Sequence, residues 1–233
     1  MRVVWPTPIT ANQLTGLSLV TGTAAALCFV STDRTAVWTG IGLMLLYGVL
    51  DCADGQLARA RGTSSRLGRI LDGSSDYVVG LLSTATLGWH QWQLEGGLGL
   101  GAVLLGMSAF GVQAVAFDKF KNRWLALAKG NFQEGEDLEE TEAELAGATG
   151  LKWFALRVYA LFLRAQGTAR PPTGDPQRLL PLARASAWLG PSTHIALLCL
   201  AAGFGALTPY FLARALLGTA ALAGIALAWR ARE

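Results

Sequence analysis

Long apolar runs separated by short polar stretches are the feature that most constrains how this chain can fold. Hydrophobic residues make up 52% of the 233 residues and charged residues only 15%, against roughly 25% charged residues in soluble domains. Runs of about 20 apolar residues are long enough for a helix to cross the hydrocarbon core of a bilayer. The sequence therefore predicts an integral membrane protein rather than a soluble domain. The net charge is only +3, and we expect no nucleic-acid partner.

The apolar runs predict an all-α fold with six transmembrane helices in one membrane domain. The predicted spans cover residues 12–30, 36–61, 66–88, 97–117, 187–206 and 209–229. Residues 1–11 precede them as a short N-terminal interfacial segment. The first run has few basic residues before it, and the large Leu27 directly before Cys28 fits poorly with processing after small residues. We therefore interpret this run as an uncleaved helix rather than a signal peptide.

The stretch between the fourth and fifth predicted spans, residues 118–186, has a different composition. It is charged, and we expect it to be largely irregular, as a cytoplasmic or interfacial insertion between residues 1–117 and residues 187–233. Within it, residues 151–164 combine aromatic and aliphatic side chains with three basic ones. This pattern predicts an amphipathic helix at the membrane interface. A shorter connection, residues 89–96, is predicted as a loop with aromatic residues near the membrane surface.

The distribution of basic residues predicts the orientation of the chain in the membrane. One side carries Arg59, Arg61, Arg66, Arg69, Lys119, Lys121, Arg123, Arg184, Arg230 and Arg232. The other side has Arg34 and Arg214. Because basic residues concentrate on the cytoplasmic side of membrane proteins, we expect both termini to be cytoplasmic. The expected location is a bacterial-type inner or cytoplasmic membrane.

Four aspartates lie within 26 residues of this otherwise apolar chain. Asp51 and Asp54 come near the end of the second predicted span, and Asp72 and Asp76 come in the first turns of the third. Spacings of three and four place each pair on one face of its helix. A short connection makes consecutive helices antiparallel neighbours, so we expect the two pairs to meet near the cytoplasmic face.

The expected cluster has a definite chemistry. Carboxylates beside a membrane span are costly and usually functional, and four of them repel one another unless cations are bound. Mg²⁺ prefers carboxylate oxygens together with substrate phosphates, and Mn²⁺ suits the same ligands. We therefore predict a site for one or two Mg²⁺ or Mn²⁺ ions that acts on a phosphate or pyrophosphate at the membrane surface.

The spacing of the motif adds a more specific indication. The pattern D-x2-D-G-x2-A-R-x8-G-x3-D-x3-D is present at Asp51, Asp54, Gly55, Ala58, Arg59, Gly68, Asp72 and Asp76. It resembles the signature of the CDP-alcohol phosphotransferases, membrane enzymes that make phospholipids from CDP-linked donors. The six-span layout and the Asn12-x2-Thr15 opening of the first span fit the same family. The resemblance does not extend to residues 118–186.

The resemblance implies roles for these residues. It implies that Asp51, Asp54, Asp72 and Asp76 are metal ligands. Asp76 would also be the general base, although the residues alone would not choose it over Asp72. The expected wall around the cytidine diphosphate is formed by Asn12, Thr15, Gly55, Ala58, Arg59 and Gly68. Arg59 would also stabilise charge on the pyrophosphate. The implied reaction moves a substituted phosphate from a CDP-linked lipid, such as CDP-diacylglycerol, to a small alcohol and releases CMP, in a homodimer.

The motif does not identify the acceptor alcohol or distinguish a diacyl donor from an ether donor. It also leaves open which part of the CDP donor is transferred, because a CDP-alcohol could instead donate to a diradylglycerol. A phosphorylated acceptor would need cationic side chains, and Lys119, Arg123 and Arg66 lie on the predicted cytoplasmic side. These residues are equally explained as basic residues that anchor the helix ends. His194 is unusual in an apolar run, so it either lines the acceptor pocket or is a buried histidine satisfied by packing.

Two other classes of function are open. The aspartates could form the path of a divalent-cation transporter, although such sites usually lie near the middle of the membrane on broken helices. The chain could also be an inactive scaffold whose glycine-rich spans associate. The cysteines Cys28, Cys52 and Cys199 show no zinc-binding spacing and are expected to be small packing residues.

Overall fold

The protein is entirely helical wherever its regular structure is described. The computed structural model describes residues 8–63, 66–129, 134–166 and 173–232. The α-helices within these ranges are α1 (Ala11–Cys28), α2 (Arg34–Ala60), α3 (Arg66–Glu95), α4 (Gly97–Lys129), α5 (Glu134–Gly147), α6 (Gly150–Gln166), α7 (Pro176–Ser186), α8 (Pro191–Gly203), α9 (Leu207–Ala213) and α10 (Thr219–Arg230). A 3₁₀ turn, Ala187–Leu189, follows α7, and a π-helical turn, Arg214–Gly218, joins α9 to α10. The predicted all-α class is confirmed.

Four helical stretches are long and apolar enough to cross a membrane within the described part of the chain. They are Arg34–Ala60, Gly97–Ala128, Pro176–Gly203 and Leu207–Arg230. These stretches support the prediction of a membrane protein. The predicted first and third spans fall on α1 and α3, which are helical, but their crossing of the bilayer stays a prediction, and so does the total of six spans.

Side chains at the helix starts explain where the first two helices begin. The Thr10 hydroxyl accepts a hydrogen bond from the Gln13 amide at 3.2 Å, and the Gln13 side chain accepts one from the Thr10 amide at 2.9 Å. This reciprocal capping box satisfies two amides at the start of α1. Asp33 caps α2 by accepting hydrogen bonds from the amides of Thr35 and Ala36.

The predicted loop at residues 89–96 is wrong, because α3 continues to Glu95. The chain reverses at Gly96 alone, whose φ of 61° is readily adopted only by glycine. Two polar side chains near the end of α3 form hydrogen bonds with residues far away in sequence, which favours a helix over a loop here. His90 lies 3.0 Å from the Ser31 carbonyl oxygen, and Gln91 donates to the Thr208 hydroxyl at 2.7 Å.

The prediction that residues 118–186 are largely irregular is also wrong. Helix α4 runs on to Lys129, and α5, α6 and α7 occupy most of the remaining described residues. Charged side chains of α5 and α6 pair with each other, with Arg164 2.8 Å from Glu142 and Lys152 3.8 Å from Glu144. The helix predicted at residues 151–164 is confirmed as part of α6, and its position at the membrane interface stays a prediction.

The chain divides into two compact units. The first comprises Met1–Leu104 and Ile195–Pro209, and the second comprises Leu105–His194 and Tyr210–Glu233. In the first unit, α1 packs against both α2 and α3. Glycines allow this close approach, because a Cβ on Gly22 would lie 2.8 Å from the Val79 side chain and one on Gly40 would lie 3.0 Å from Cys28 Cβ.

The second unit contains a buried arginine, Arg214, that compensates for a helix break. Its guanidinium donates hydrogen bonds to the carbonyl oxygens of Trp188 and Leu189, at 3.3 and 2.5 Å. These carbonyls end the 3₁₀ turn just before Pro191, which has no amide hydrogen with which to continue a helical ladder. Arg214 therefore satisfies carbonyl groups at this helix break.

Helix packing in the second unit predicts the effect of two alanine substitutions on α4. A Cβ on Gly106 would lie 2.7 Å from both the backbone oxygen and Cβ of Phe211, a fully buried residue, whereas one on Gly111 would meet no heavy atom within 4 Å. We expect Gly106→Ala to lower stability by about 1–3 kcal/mol through overpacking. Gly111→Ala should leave stability unchanged or raise it slightly, since alanine favours helices. Thermal unfolding of detergent-solubilised protein measures the difference, and equal Tm values for the two variants would contradict it.

Candidate active site

The four aspartates of the motif lie on two helices of the same unit. Asp51 and Asp54 are in the last turns of α2, and Asp72 and Asp76 are in the first three turns of α3. Gly62, with a φ of 65°, helps to reverse the chain between these helices. Asp51 is within electrostatic reach of the other three carboxylates and is close enough to hydrogen-bond with Asp76. The predicted meeting of the two aspartate pairs is therefore seen in the structure.

The four carboxylates differ in their exposure to solvent. Asp54 is buried, with 3% of its surface exposed, whereas Asp51 and Asp72 are half-buried and Asp76 is exposed. The cluster therefore extends from the packed interior of the first unit to its surface. A molecule that approaches from outside would meet Asp76 most readily.

Asp54 is held by hydrogen bonds to both of its oxygens. The Thr15 hydroxyl on α1 donates to Oδ2 at 2.5 Å, and the Gly55 amide donates to Oδ1 at 2.5 Å. Arg59, one turn further along α2, adds a favourable charge. These donors explain how a carboxylate can be buried here, because charged hydrogen bonds offset part of the cost of removing it from water.

Asp51 and Asp72 each have one oxygen that lacks such support. The Oδ1 atoms of both side chains are buried and accept no hydrogen bond from the described residues. The two carboxyl groups lie within hydrogen-bonding range of each other, but two ionised carboxylates have no proton to share. A buried acceptor without a donor costs free energy, and a divalent cation would compensate for both.

The donor set therefore fits a hard divalent cation, which favours carboxylate oxygens. Across the described ranges, however, no group of three or more His, Cys, Asp or Glu side chains meets the geometry of a metal site. The type of these side chains, though not their geometry, therefore fits the predicted metal site. The ligand set of Asp51, Asp54, Asp72 and Asp76 stays a prediction.

Tyr47 also belongs to this cluster, although the sequence analysis did not identify it. Its hydroxyl donates a hydrogen bond to Asp76 Oδ1 at 2.6 Å. The residue is not part of the motif, but it precedes Asp51 by four positions and so lies on the same face of α2. That spacing was the available sequence signal.

The residues predicted to surround the cytidine diphosphate lie near the aspartates to different degrees. Thr15 contacts Asp54 directly, and Gly55 lies under the Arg59 side chain, whose Nη1 would be 3.2 Å from a Cβ at this position. Asn12 is exposed in the first turn of α1, and Ala58 and Gly68 are half-buried on α2 and α3. Contacts of these residues with a nucleotide stay a prediction.

The predicted acceptor residues fall into three structural settings. Lys119 and Arg123 are half-buried on α4, in the second unit. The backbone of Arg66 begins α3, and its side chain lies outside the described residues. His194 is on α8. Their contact with an acceptor alcohol stays a prediction.

The surroundings of His194 favour the alternative that it is a packing residue. It is 4% exposed, its ring stacks on Phe110 at a centroid distance of 3.8 Å, and its Nδ1 lies 2.5 Å from the Tyr210 hydroxyl. These partners account for the presence of a histidine in an apolar run, because Tyr210 satisfies one ring nitrogen and Phe110 covers one face of the ring.

One protein family matches the sequence across this site. The profile of the CDP-alcohol phosphatidyltransferase family matches residues 8–129. This range is just over half of the chain, and it includes the four aspartates, α1, α2, α3 and α4. A comparison with individual curated proteins finds no significant match.

The hydrogen bond between Thr15 and Asp54 predicts a difference between two threonines of α1. Thr15→Val should destabilise the protein by about 1–3 kcal/mol, because it removes a donor from a buried carboxylate. Thr21→Val is the matched control, since Thr21 is similarly buried and, among the described residues, its hydroxyl donates to the Leu17 carbonyl in its own helix rather than to a carboxylate. Chemical or thermal unfolding in detergent compares them. Equal losses of stability would show that the contact with Asp54 has no special weight.

Proposed function

The chain belongs to the CDP-alcohol phosphatidyltransferase family, and we propose that it transfers a phosphatidyl group from CDP-diacylglycerol to a small alcohol or alcohol phosphate. CMP is the other product. Membership of this family indicates a membrane transferase that uses a CDP-alcohol in phospholipid biosynthesis. The observation that carries the proposal for this chain is the convergence of four aspartates from α2 and α3, two of which have buried oxygens without donors.

In this proposal, Asp51, Asp54, Asp72 and Asp76 hold one or two Mg²⁺ or Mn²⁺ ions. When bound, such ions stabilise negative charge on the pyrophosphate and on the departing phosphate oxygen. The hydrogen bonds from Thr15 and Gly55 fix Asp54, so this carboxylate would be the rigid part of the set. Asp51 and Asp72 would contribute the buried oxygens that lack donors.

Asp76 is the proposed general base. It is the most exposed of the four carboxylates and can therefore meet an acceptor hydroxyl. Asp76 would take the hydroxyl proton while the oxygen forms a bond to the phosphorus that bears the lipid. The bond from that phosphorus to the CMP oxygen breaks, and CMP leaves with the electron pair. Arg59, whose charge acts on Asp54 and Asp72, would also stabilise the pyrophosphate.

The substrates would be bound by residues of the same helices and of α4. Asn12, Thr15, Gly55, Ala58 and Gly68 would form the wall around the cytidine diphosphate. The absence of a side chain at Gly55 supports close approach of a ligand to the backbone. Lys119, Arg123 and Arg66 would bind an acceptor that carries phosphate, and His194 would act there only if its packing partners rearranged.

The membrane arrangement follows the distribution of basic residues. We propose six spans with both termini and the aspartates on the cytoplasmic side of a bacterial-type inner membrane, in a homodimer. The excess of basic residues near the aspartates supports this orientation. Cytosolic alcohols would then reach the active site directly.

The role of Asp76 predicts the behaviour of Asp76→Asn. The variant should lose CMP release by at least about 100-fold, since general-base catalysis contributes roughly 10²–10⁴-fold, and it should still bind the donor. The assay uses purified protein with Mg²⁺ or Mn²⁺, CDP-diacylglycerol and a panel of alcohols. Asp33→Asn is the matched control on α2, because asparagine also caps helices well and Asp33 only caps its helix.

Two outcomes would contradict this function. Full turnover by Asp76→Asn would exclude Asp76 as the base. Failure of the wild-type protein to release CMP with any acceptor, together with divalent-cation flux into vesicles that contain it, would favour the cation transporter.

The Oδ1 atoms of Asp51 and Asp72, which are buried and accept no hydrogen bond from the described residues, predict that a bound metal ion stabilises the protein. Mg²⁺ or Mn²⁺ should raise the Tm of the wild-type protein, and at 100 times the Kd the stabilisation should be about 2.7 kcal/mol. The double variant Asp51→Asn/Asp72→Asn should lose this effect. Asp175→Asn, which alters the cap of α7 and an exposed ion pair with Arg178, should keep it. An undiminished thermal shift in the double variant would place the metal elsewhere.

A further inference from the structure

A buried tyrosine on α2 is tied to the most exposed carboxylate of the active site. Tyr47, which is 7% exposed, donates its hydroxyl to Asp76 Oδ1 at 2.6 Å. The hydrogen bond connects α2 with α3 across 29 positions of sequence. The exposed side chain of Asp76 is thus held at one oxygen by a donor from the protein interior.

The packing around Tyr47 fixes the position of this donor. A Cβ on Gly22 of α1 would lie 3.0 Å from Tyr47 Cδ2 and 2.8 Å from Val79 Cγ2. Val79 is on α3, three positions after Asp76, and is almost fully buried. The tyrosine ring therefore lies where α1, α2 and α3 meet, and close packing leaves it little freedom to change rotamer.

Helical spacing places Tyr47 on the same face of α2 as the proposed metal ligands Asp51 and Asp54. Tyr47 and Asp51 are four residues apart on α2 and share a face. Asp54 continues this face one turn later, and Asp72 and Asp76 are related in the same way on α3. Tyr47 is one turn further from the C-terminal end of α2 than the first aspartate of the cluster.

We propose that Tyr47 is a positioning residue, whose hydroxyl holds Asp76 in the orientation that the transfer reaction requires. The proposal rests on the function assigned above to Asp76. The hydrogen bond to Oδ1 would set the direction in which the Asp76 carboxylate faces the acceptor or a bound cation. An exposed aspartate without this contact would sample several rotamers. Because Tyr47 already orients Asp76, less conformational entropy would be lost when Asp76, the acceptor and the donor come together.

The test is Tyr47→Phe in the full-length protein, because phenylalanine removes only the hydroxyl and keeps the ring against Gly22 and Val79. We expect kcat for CMP release to fall about 10- to 100-fold, the usual effect of losing a group that orients a metal ligand. The KM for CDP-diacylglycerol should change less than about twofold, since uniform substrate binding is unaffected. Tyr159→Phe, on α6, is the control and should retain wild-type kcat.

A second measurement does not depend on turnover. Binding of Mn²⁺, followed by the electron paramagnetic resonance of the free ion, should weaken about tenfold or more in Tyr47→Phe. In an Asp76→Asn background, Tyr47→Phe should cause no further weakening, because the two residues would act as one unit. This double-mutant cycle separates positioning of Asp76 from a general loss of stability.

The outcomes distinguish this proposal from the proposed function. If the wild type releases no CMP but Tyr47→Phe weakens Mn²⁺ binding only when Asp76 is present, the enzyme assignment fails, while the role of Tyr47 in orienting Asp76 for metal binding stands. If the wild type is active and Tyr47→Phe matches it in kcat and Mn²⁺ binding, the positioning role is overturned. Equal effects of Tyr47→Phe with and without the Asp76 carboxylate would overturn it as well.

Discussion

Repulsion among four carboxylates is the constraint on which the rest of the first unit depends. The turn after α2 brings the ends of α2 and α3 together, and with them Asp51, Asp54, Asp72 and Asp76. The protein compensates for this charge unevenly. Asp54 receives two hydrogen bonds and Asp76 receives one from Tyr47, whereas buried oxygens of Asp51 and Asp72 receive none from the described residues. The site therefore contains some carboxylates that are held by hydrogen bonds and others with buried oxygens that accept none. A cation bound between them would need this arrangement.

The donors that compensate for the charge are placed by helix α1 and its small residues. Thr15 lies on α1, and Tyr47 is held where Gly22 of α1 approaches it. Gly40 allows α2 to approach the other end of α1, near Cys28. A side chain at Gly22 would crowd the Tyr47 ring and Val79, and one at Gly40 would crowd Cys28 and Phe29. The first helix therefore matters to the chemistry through packing, although it carries no carboxylate of the cluster.

The sequence allowed the helices and the aspartate cluster to be predicted because both depend on local spacing. Apolar runs gave the helical class, and intervals of three and four residues placed each aspartate pair on one face. The errors have a common cause in contacts between residues far apart in sequence. The end of α3 depends on bonds from His90 and Gln91 to Ser31 and Thr208. Helices α5 and α6 contact each other through residues far apart in sequence, as in the ion pair of Arg164 with Glu142. Tyr47 was overlooked because its spacing from Asp51 places it on the same face of α2 but does not identify its partner, Asp76, on α3.

His194 and Asp51 together show which polar residues of a membrane protein indicate a functional site. Each is rare for its surroundings, and rarity alone made both of them candidates. The structure separates them by their partners. Phe110 and Tyr210 account for His194, so its burial needs no ligand. The Oδ1 atom of Asp51 is buried among other carboxylates without a donor from the described residues, so a bound cation would compensate for its burial. Unmet hydrogen-bonding and charge requirements, rather than the presence of a polar residue in an apolar helix, therefore locate the chemistry of this protein.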